Sequence, residues 1–240
     1  GGGGRALAGM WSKENCRSLW VDTTQVNIDK YWVDYFQPLL KRMCPPHDRK
    51  KPQLYNWSKQ HKILTLANGA VMHFGSVERP ENLEGFGYHQ MFLNEAGIIL
   101  KGDAGYLLWH KTLVPMTMEY KCQVFFIGTP KGLGLFRELA ALGRSGTNPD
   151  WVTYHRTSYE NPLLEKGEID ALCAGMPERY IRQEIHAEFM EDDEGTPLIS
   201  FADALEACDR DPVDDKTFHI VWGVDPSQAG VDEAAIAKRR

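Results

Sequence analysis

Short apolar runs alternate along this chain with stretches of helical periodicity, and that alternation narrows the possible folds more than any other feature. Ser18 to Thr23 reads as a buried strand running into polar residues. Val26 to Met43 carries apolar residues at helical spacing (Ile28, Trp32, Phe36, Leu39, Leu40) and stops near Pro45-Pro46, before a basic loop from His47 to Pro52. Lys62 to Ala67 and Ala70 to Ser76 form a hairpin, with Asn68-Gly69 expected in a tight type I′ turn. Met91-Phe92-Leu93 and Gln123 to Ile127 are further buried strands, with a helix around Tyr106 to His110 between them. Leu133 to Leu142 reads as a helix ended by Gly143, and Val152 to Arg156 as an edge or additional strand. Two helices follow: Glu165 to Ala174, closed by Gly175, and one opened by Pro177 with Tyr180, Ile181, Ile185 and Phe189 on one face. After the acidic, turn-rich stretch from Glu191 to Thr196 the pattern restarts, with strands at His219 to Asp225 and Ala234 to Ala237. Such alternation implies an α/β layered fold. With 240 residues, 42% hydrophobic, there is enough chain for one good core and the beginning of a second.

Composition excludes several classes. Five cysteines (Cys16, Cys44, Cys122, Cys173, Cys208), odd in number and without CxxC spacing, point to a reducing compartment with neither disulfide framework nor zinc site. No apolar run approaches the ~18 residues of a membrane span, and no signal peptide precedes the first element, so a soluble cytosolic protein is expected. The net charge of -6 means that any DNA binding must use a local patch or a transient grip.

Several strand ends carry chemistry. Phe92-Leu93-Asn94-Glu95-Ala96 delivers two polar residues at the carboxyl end of a buried strand, where open α/β sheets bind ligands. ATPases place an Asp there that helps hold Mg²⁺ and a Glu that orients or deprotonates the attacking water; here the first position is neutral Asn94, and Glu95 takes the second. A strand simply ending at the surface in Asn-Glu fits the pentapeptide equally well. Gly128-Thr129-Pro130-Lys131-Gly132 ends another strand in a hydroxyl that can sense a γ-phosphate, although an ordinary strand-turn-helix junction has the same composition. Arg79, in the loop from Ser76 to Phe86, can stabilise phosphate charge or be a solvated arginine. A phosphate loop needs G-x-x-x-x-G-K-[ST]; Gly1 to Gly4 with Arg5 supply glycines and a cation without the Lys-[Ser/Thr] pair. Val221-Trp222-Gly223-Val224-Asp225 delivers a single carboxylate from a strand, as two-metal nucleases do with their first ligand and as a capped strand end also does.

In order and spacing these motifs resemble the large terminase subunit of tailed bacteriophages, a DNA-packaging motor. The resemblance rests on Arg79 to Gly85, Phe92 to Gly97, Gly128 to Gly132 with Phe136, Tyr159 to Pro162, Pro177 to Glu184 leading to Glu188-Phe189, and Gly223 to Pro226. It implies a P-loop-type ATPase domain with a mainly parallel sheet over 1–190, including a helical subdomain from about 160. A linker over 191–216 and the start of an RNase H-like nuclease domain over 217–240 would follow. By position it implies Asn94 and Glu95 as the Mg²⁺ and water-activating pair, Arg79 as a phosphate-stabilising group, and Thr129 in the motif coupling hydrolysis to movement. Gly2, Gly3, Gly4 and Arg5 would lie at the nucleotide, and Asp225, with Asp232, would be nuclease metal ligands. The implied cofactors are ATP and Mg²⁺, with Mg²⁺ or Mn²⁺ for the nuclease. The implied partners are double-stranded DNA, portal protein, the small terminase subunit and further copies in a ring on the procapsid, all in the host cytoplasm and with no membrane.

Three departures matter: the absent phosphate-loop lysine and hydroxyl, Asn94 in place of Asp, and nuclease carboxylates limited to Asp225 and Asp232. This polypeptide is therefore expected to lack DNA cleavage, and supercoiled plasmid incubated with it and a divalent metal should stay uncut. Two other readings remain open here: a helicase-like P-loop ATPase that remodels nucleic acid, and a non-catalytic prophage remnant.

Overall fold

The computed structural model describes residues 2–44, 54–80, 83, 85–131 and 134–190, together with the backbones of two strands at 221–225 and 235–239. Residues fall into two compact units, Gly1–Gly195 and Thr196–Arg240. The first unit is a six-stranded sheet of β1 (Arg17–Asp22), β2 (Tyr55–Ser58), β3 (Ile63–Leu66), β4 (Val71–Ser76), β5 (Gln90–Asn94) and β6 (Gln123–Ile127), in the order β2-β3-β4-β1-β5-β6. β4, β1, β5 and β6 run parallel, and β2 and β3 join them antiparallel. The α/β layering expected from the alternation, and the mainly parallel sheet that the resemblance implies, are thus the architecture observed.

Burial explains the two central strands. A parallel strand covered on both faces reads as a continuous apolar run, and every residue of β5 is buried, as are all but the first of β1. Period-two alternation divides them between two cores. Trp20 and Phe92 stack with centroids 5.8 Å apart on one face, where Leu7, Met10, Ile28, Phe36 and Leu40 also pack. Leu19, Val21, Met91 and Leu93 meet Ile99, Trp109, Leu113 and Leu135 on the other. Each such large side chain contributes roughly 1.5–3 kcal/mol when fully buried.

The helices are α1 (Gly2–Ser12), α2 (Gln25–Tyr31), α3 (Gln37–Met43), α4 (Ala96–Ile99), α5 (Gly102–Leu107), α6 (Val114–Thr117), α7 (Leu135–Ser145), α8 (Lys166–Cys173) and α9 (Glu178–Tyr180). Thr24 caps α2, its hydroxyl accepting from the Asn27 amide at 3.1 Å. A π-helical turn, Trp32–Phe36, joins α2 to α3 within the helix expected there. Pro38, two residues beyond that turn, has no N–H to give it, so the hydrogen-bond ladder shifts register. The same arrangement recurs where π-helical Leu108–Leu113 precedes Pro115.

Four local expectations need correction. Of the Asn68-Gly69 pair only Gly69 has a positive φ (80°), so the hairpin turn is not type I′. Asn68 is held instead by donating to the Met10 carbonyl at 2.8 Å and accepting from the Ala70 amide at 3.1 Å. Helix α7 runs past Gly143 to a left-handed Gly146. Gly143 serves packing: a methyl group there would overlap Thr153, whose hydroxyl donates to the Ala140 carbonyl at 2.8 Å. Val152 to Arg156, with Thr153 held by that contact, joins no ladder. Finally, Phe189 lies beyond the helix opened by Pro177, past Ala187 with its φ of 54°.

The second unit shows β7 (Val221–Asp225) antiparallel to β8 (Ala235–Arg239), with Asp225 opposite Ala235. The expected linker over 191–216 and the expected basic loop from His47 to Pro52 lie outside the described residues. Among the described residues no helix is long and apolar enough to cross a membrane.

Candidate active site at the carboxyl ends of the parallel strands

Four parallel strands deliver their carboxyl ends to one edge of the sheet, and the polar residues gather there. Val21 lies opposite Leu93 in the register, so Asp22 and Asn94 leave the sheet side by side. Both are buried. The Asn94 carboxamide donates through Nδ2 to Asp22 Oδ2 at 2.9 Å. Asp22 Oδ1 accepts from the Thr23 amide at 2.7 Å and from the Thr23 hydroxyl at 3.3 Å. Tyr31, the last residue of α2, faces the same group. Burial raises its pKa, a hydrogen bond from Asn94 opposes this, and the Glu95 and Asp22 carboxylates add to the rise.

Glu95 follows as the tight turn between β5 and α4. Its backbone is left-handed, with φ 61° and ψ 46°, and its carbonyl accepts from the Ile98 and Ile99 amides at 2.9 and 3.0 Å. A glutamate in that conformation costs on the order of 1–3 kcal/mol, a strain that clusters at functional sites. The turn frees Glu95 from the strand's alternation and leaves it half-buried. Burial raises its carboxyl pKa, Lys131 lowers it, and Asp22 and Glu184 push it up again.

The end of β6 interlocks with this turn. A methyl group added at Gly97 would sit 2.6 Å from the Thr129 carbonyl oxygen, and one at Gly128 would lie 3.0 Å from the Ala96 amide nitrogen. The backbones carrying Glu95 and Thr129 therefore touch, which only glycine allows. Beyond Thr129, the Pro130 carbonyl accepts from Gln183 Nε2 at 2.9 Å, and Lys131 lies 3.8 Å from Glu184. Those contacts bind the residues after β6 to the segment Ile181–Ile185. Gln183→Ala should cost about 1–3 kcal/mol by stranding the buried Pro130 carbonyl, a loss readable as a lower urea midpoint.

The other anticipated residues are placed as follows. Arg79 is exposed in the turn after β4, its amide donating to the Ser76 carbonyl at 3.3 Å. Ser76 in turn accepts from Gln25 Nε2 at 3.1 Å, at the same edge. Gly2, Gly3 and Gly4 form the first turn of α1. Close packing accounts for this, since Gly2 abuts Ile127 and Trp20 and Gly3 abuts Phe36. Arg5 lies over the Phe125 ring at 5.5 Å. Asp225 ends β7; Asp232 and the motif residues Glu81, Asn82, Glu84 and Gly132 lie outside the described residues. Asp22, Tyr31, Lys131 and Glu184 were not singled out from sequence. For Asp22 the signal was present, a charged residue at the end of an apolar run.

Comparison with known proteins shows what this chain is similar to. The chain is 30% identical over 128 residues to the terminase large subunit of Escherichia phage T5, covering 53% of this chain and 28% of that protein. The chain is a homologue of phage terminase large subunits. It spans about a quarter of the length of the curated terminases it matches. Its fold is that of the large-terminase ATPase domain: the Thermus phage P74-26 domain superposes with a TM-score of 0.59 at 18% identity, covering 78% of this chain and 85% of that one. The large terminase of a thermophilic bacteriophage, in complex with ADP, superposes with a TM-score of 0.57 at 13% identity, over 78% of this chain and 44% of that one. No family model matches the chain.

Proposed function

We propose that this chain carries the ATP-hydrolysing part of a phage large terminase, with Glu95 as the carboxylate that orients and deprotonates the attacking water. The observation that carries the reading is the strained, half-buried Glu95 at the carboxyl end of a central parallel strand. It stands beside the buried Asp22–Asn94 pair and is interlocked with Thr129. The relative with ADP bound supports nucleotide chemistry on this fold.

The residues present fit a nucleotide-bound Mg²⁺. Among the described residues no three His, Cys, Asp or Glu side chains group closely enough to hold a metal alone. Mg²⁺ on a nucleotide needs only one or two protein groups, with phosphates and water completing its shell. Asn94 would hold it through its carboxamide oxygen, backed by Asp22. When bound, the ion neutralises phosphate charge as the leaving group departs. Thr129, against the Glu95 turn, carries the state of the site to the residues after β6, and Gln183 and Glu184 pass it to the C-terminal helical segment. Arg79 contributes phosphate-stabilising charge, in cis or toward a neighbouring subunit, and Gly2 to Arg5 lie at the nucleotide.

In the whole protein this activity would drive double-stranded DNA into a procapsid in the host cytoplasm, with portal protein, small subunit and further copies as partners. Asp225 and Asp232 would belong to a metal-dependent nuclease. ATP turnover by this chain, measured with and without Glu95→Gln, tests the reading, and equal rates would remove Glu95 from the mechanism.

A further inference from the structure

We propose that Asp22 supplies, through Asn94, the negative charge that position 94 lacks, so that the pair acts as one acidic unit toward the divalent metal of the nucleotide. This rests on the ATP-hydrolysing reading above.

Asp22 and Asn94 lie on neighbouring parallel strands, one residue beyond the paired Val21 and Leu93. Asp22 is wholly buried, with 0% exposure, yet its described partners are all neutral: the Thr23 amide, the Thr23 hydroxyl and the Asn94 carboxamide. Among the described residues no lysine, arginine or histidine forms an ion pair with it. A buried carboxylate without a counter-charge is costly, and a site that receives a cation is one place where that cost is returned. The cation already present nearby, Lys131, acts on Glu95 and pairs with Glu184.

Asn94 is the link. A carboxamide facing a carboxylate turns its N–H groups toward it, as Asn94 Nδ2 does toward Asp22 Oδ2 at 2.9 Å. Its oxygen Oδ1 is left as the cation-binding atom. Asp22 polarises that oxygen and fixes its direction, as a carboxylate does behind a metal-bound histidine. Asp22 is thus a positioning residue, and the charge usual at position 94 has moved one strand over.

The exchange of the two side chains tests this. Mn²⁺ is titrated into the chain at a fixed concentration of ADP, against a protein-free Mn²⁺–ADP blank, and the free ion followed by electron paramagnetic resonance, while thermal midpoints are measured without metal. Asp22→Asn should stay folded and bind Mn²⁺ about 10–100-fold more weakly. Asn94→Asp, which sets a second carboxylate against Asp22, should lower the midpoint by on the order of 5 °C or more. The double exchange D22N/N94D should recover both the midpoint and the Mn²⁺ affinity. A residue that only caps the Thr23 turn would leave Mn²⁺ affinity unmoved when replaced by Asn. That result overturns the proposal, as does a double exchange binding no better than Asp22→Asn, or a parent chain that does not bind Mn²⁺. The recovery pattern together with ATP turnover indifferent to Glu95→Gln would remove the hydrolytic reading and leave the acidic unit standing.

Discussion

Replacing Glu95 by Gln should lower ATP turnover by about 10²–10⁴-fold, the range a positioned general base contributes, while the protein stays folded. Glutamine keeps the size and the hydrogen-bonding reach of the side chain, so the left-handed turn and its bonds to Ile98 and Ile99 have no reason to change. What disappears is the ability to take a proton. Burial holds a cost against the ionised carboxylate, and Asp22 and Glu184 add to it. Removing the charge should therefore leave the thermal midpoint equal or slightly higher. A fall in turnover with an unchanged midpoint separates lost chemistry from lost structure. A fall in both would point to the turn rather than the proton transfer.

The same carboxyl sets a pH dependence whose sign follows from its raised pKa. As a base Glu95 must be ionised, so turnover should fall as the pH drops through that raised value, a limb lying above the ordinary 4.5. Lys131 is the one named group pulling the pKa down, so Lys131→Met should move the limb to higher pH. Stability runs the other way. A carboxyl with a folded-state pKa above its unfolded one binds more protons when folded, so stability falls as pH rises from the unfolded value through the folded one. Turnover and stability should thus move in opposite directions across one pH window, which a profile of each would check.

How much of this was legible in the amino-acid order depends on the distance over which each signal acts. β1 and β5 announce themselves because strands buried on both faces need continuous apolar runs, and Asn94-Glu95 is visible as the break in one of them; β6, at the end of the sheet and only half-buried, still shows as the apolar run from Val124 to Ile127. β2 was missed: its only cue is the alternation of Tyr55 and Trp57 over four residues, too short to stand out. Gly143 was misread because a glycine required by a neighbour's approach looks the same in sequence as one ending a helix. The Asp22–Asn94 pair was invisible for a different reason. It joins residues 72 positions apart, and nothing in either segment reveals that β1 and β5 are neighbours. The contact between Gln183 and Pro130 spans 53 positions and was equally hidden. Local periodicity reports burial and chain direction; the partners that tune a site come from strand order.

The glycine interlock between the two strand ends gives the other large effect. Gly97→Ala should destabilise the protein by about 1–3 kcal/mol or more and reduce turnover by roughly 10²-fold through displacement of Glu95 and Thr129. The added methyl would meet the Thr129 carbonyl oxygen at 2.6 Å and the Lys131 amide nitrogen at 3.1 Å. Both are backbone atoms, so no side chain can swing aside and one strand end must move away from the other. Movement in either direction carries a reacting group with it, because Gly97 sits two residues after Glu95 and the opposing carbonyl is that of Thr129 itself. Gly167→Ala is the matched control: it lies in α8 with no atom within 4 Å of the new methyl group. There the substitution should be neutral or stabilising by up to about 1 kcal/mol through helix propensity. Urea midpoints and ATP turnover of the two variants would decide the matter. If Gly97→Ala behaves like Gly167→Ala, the two strand ends are not in the backbone contact that would couple Glu95 to Thr129.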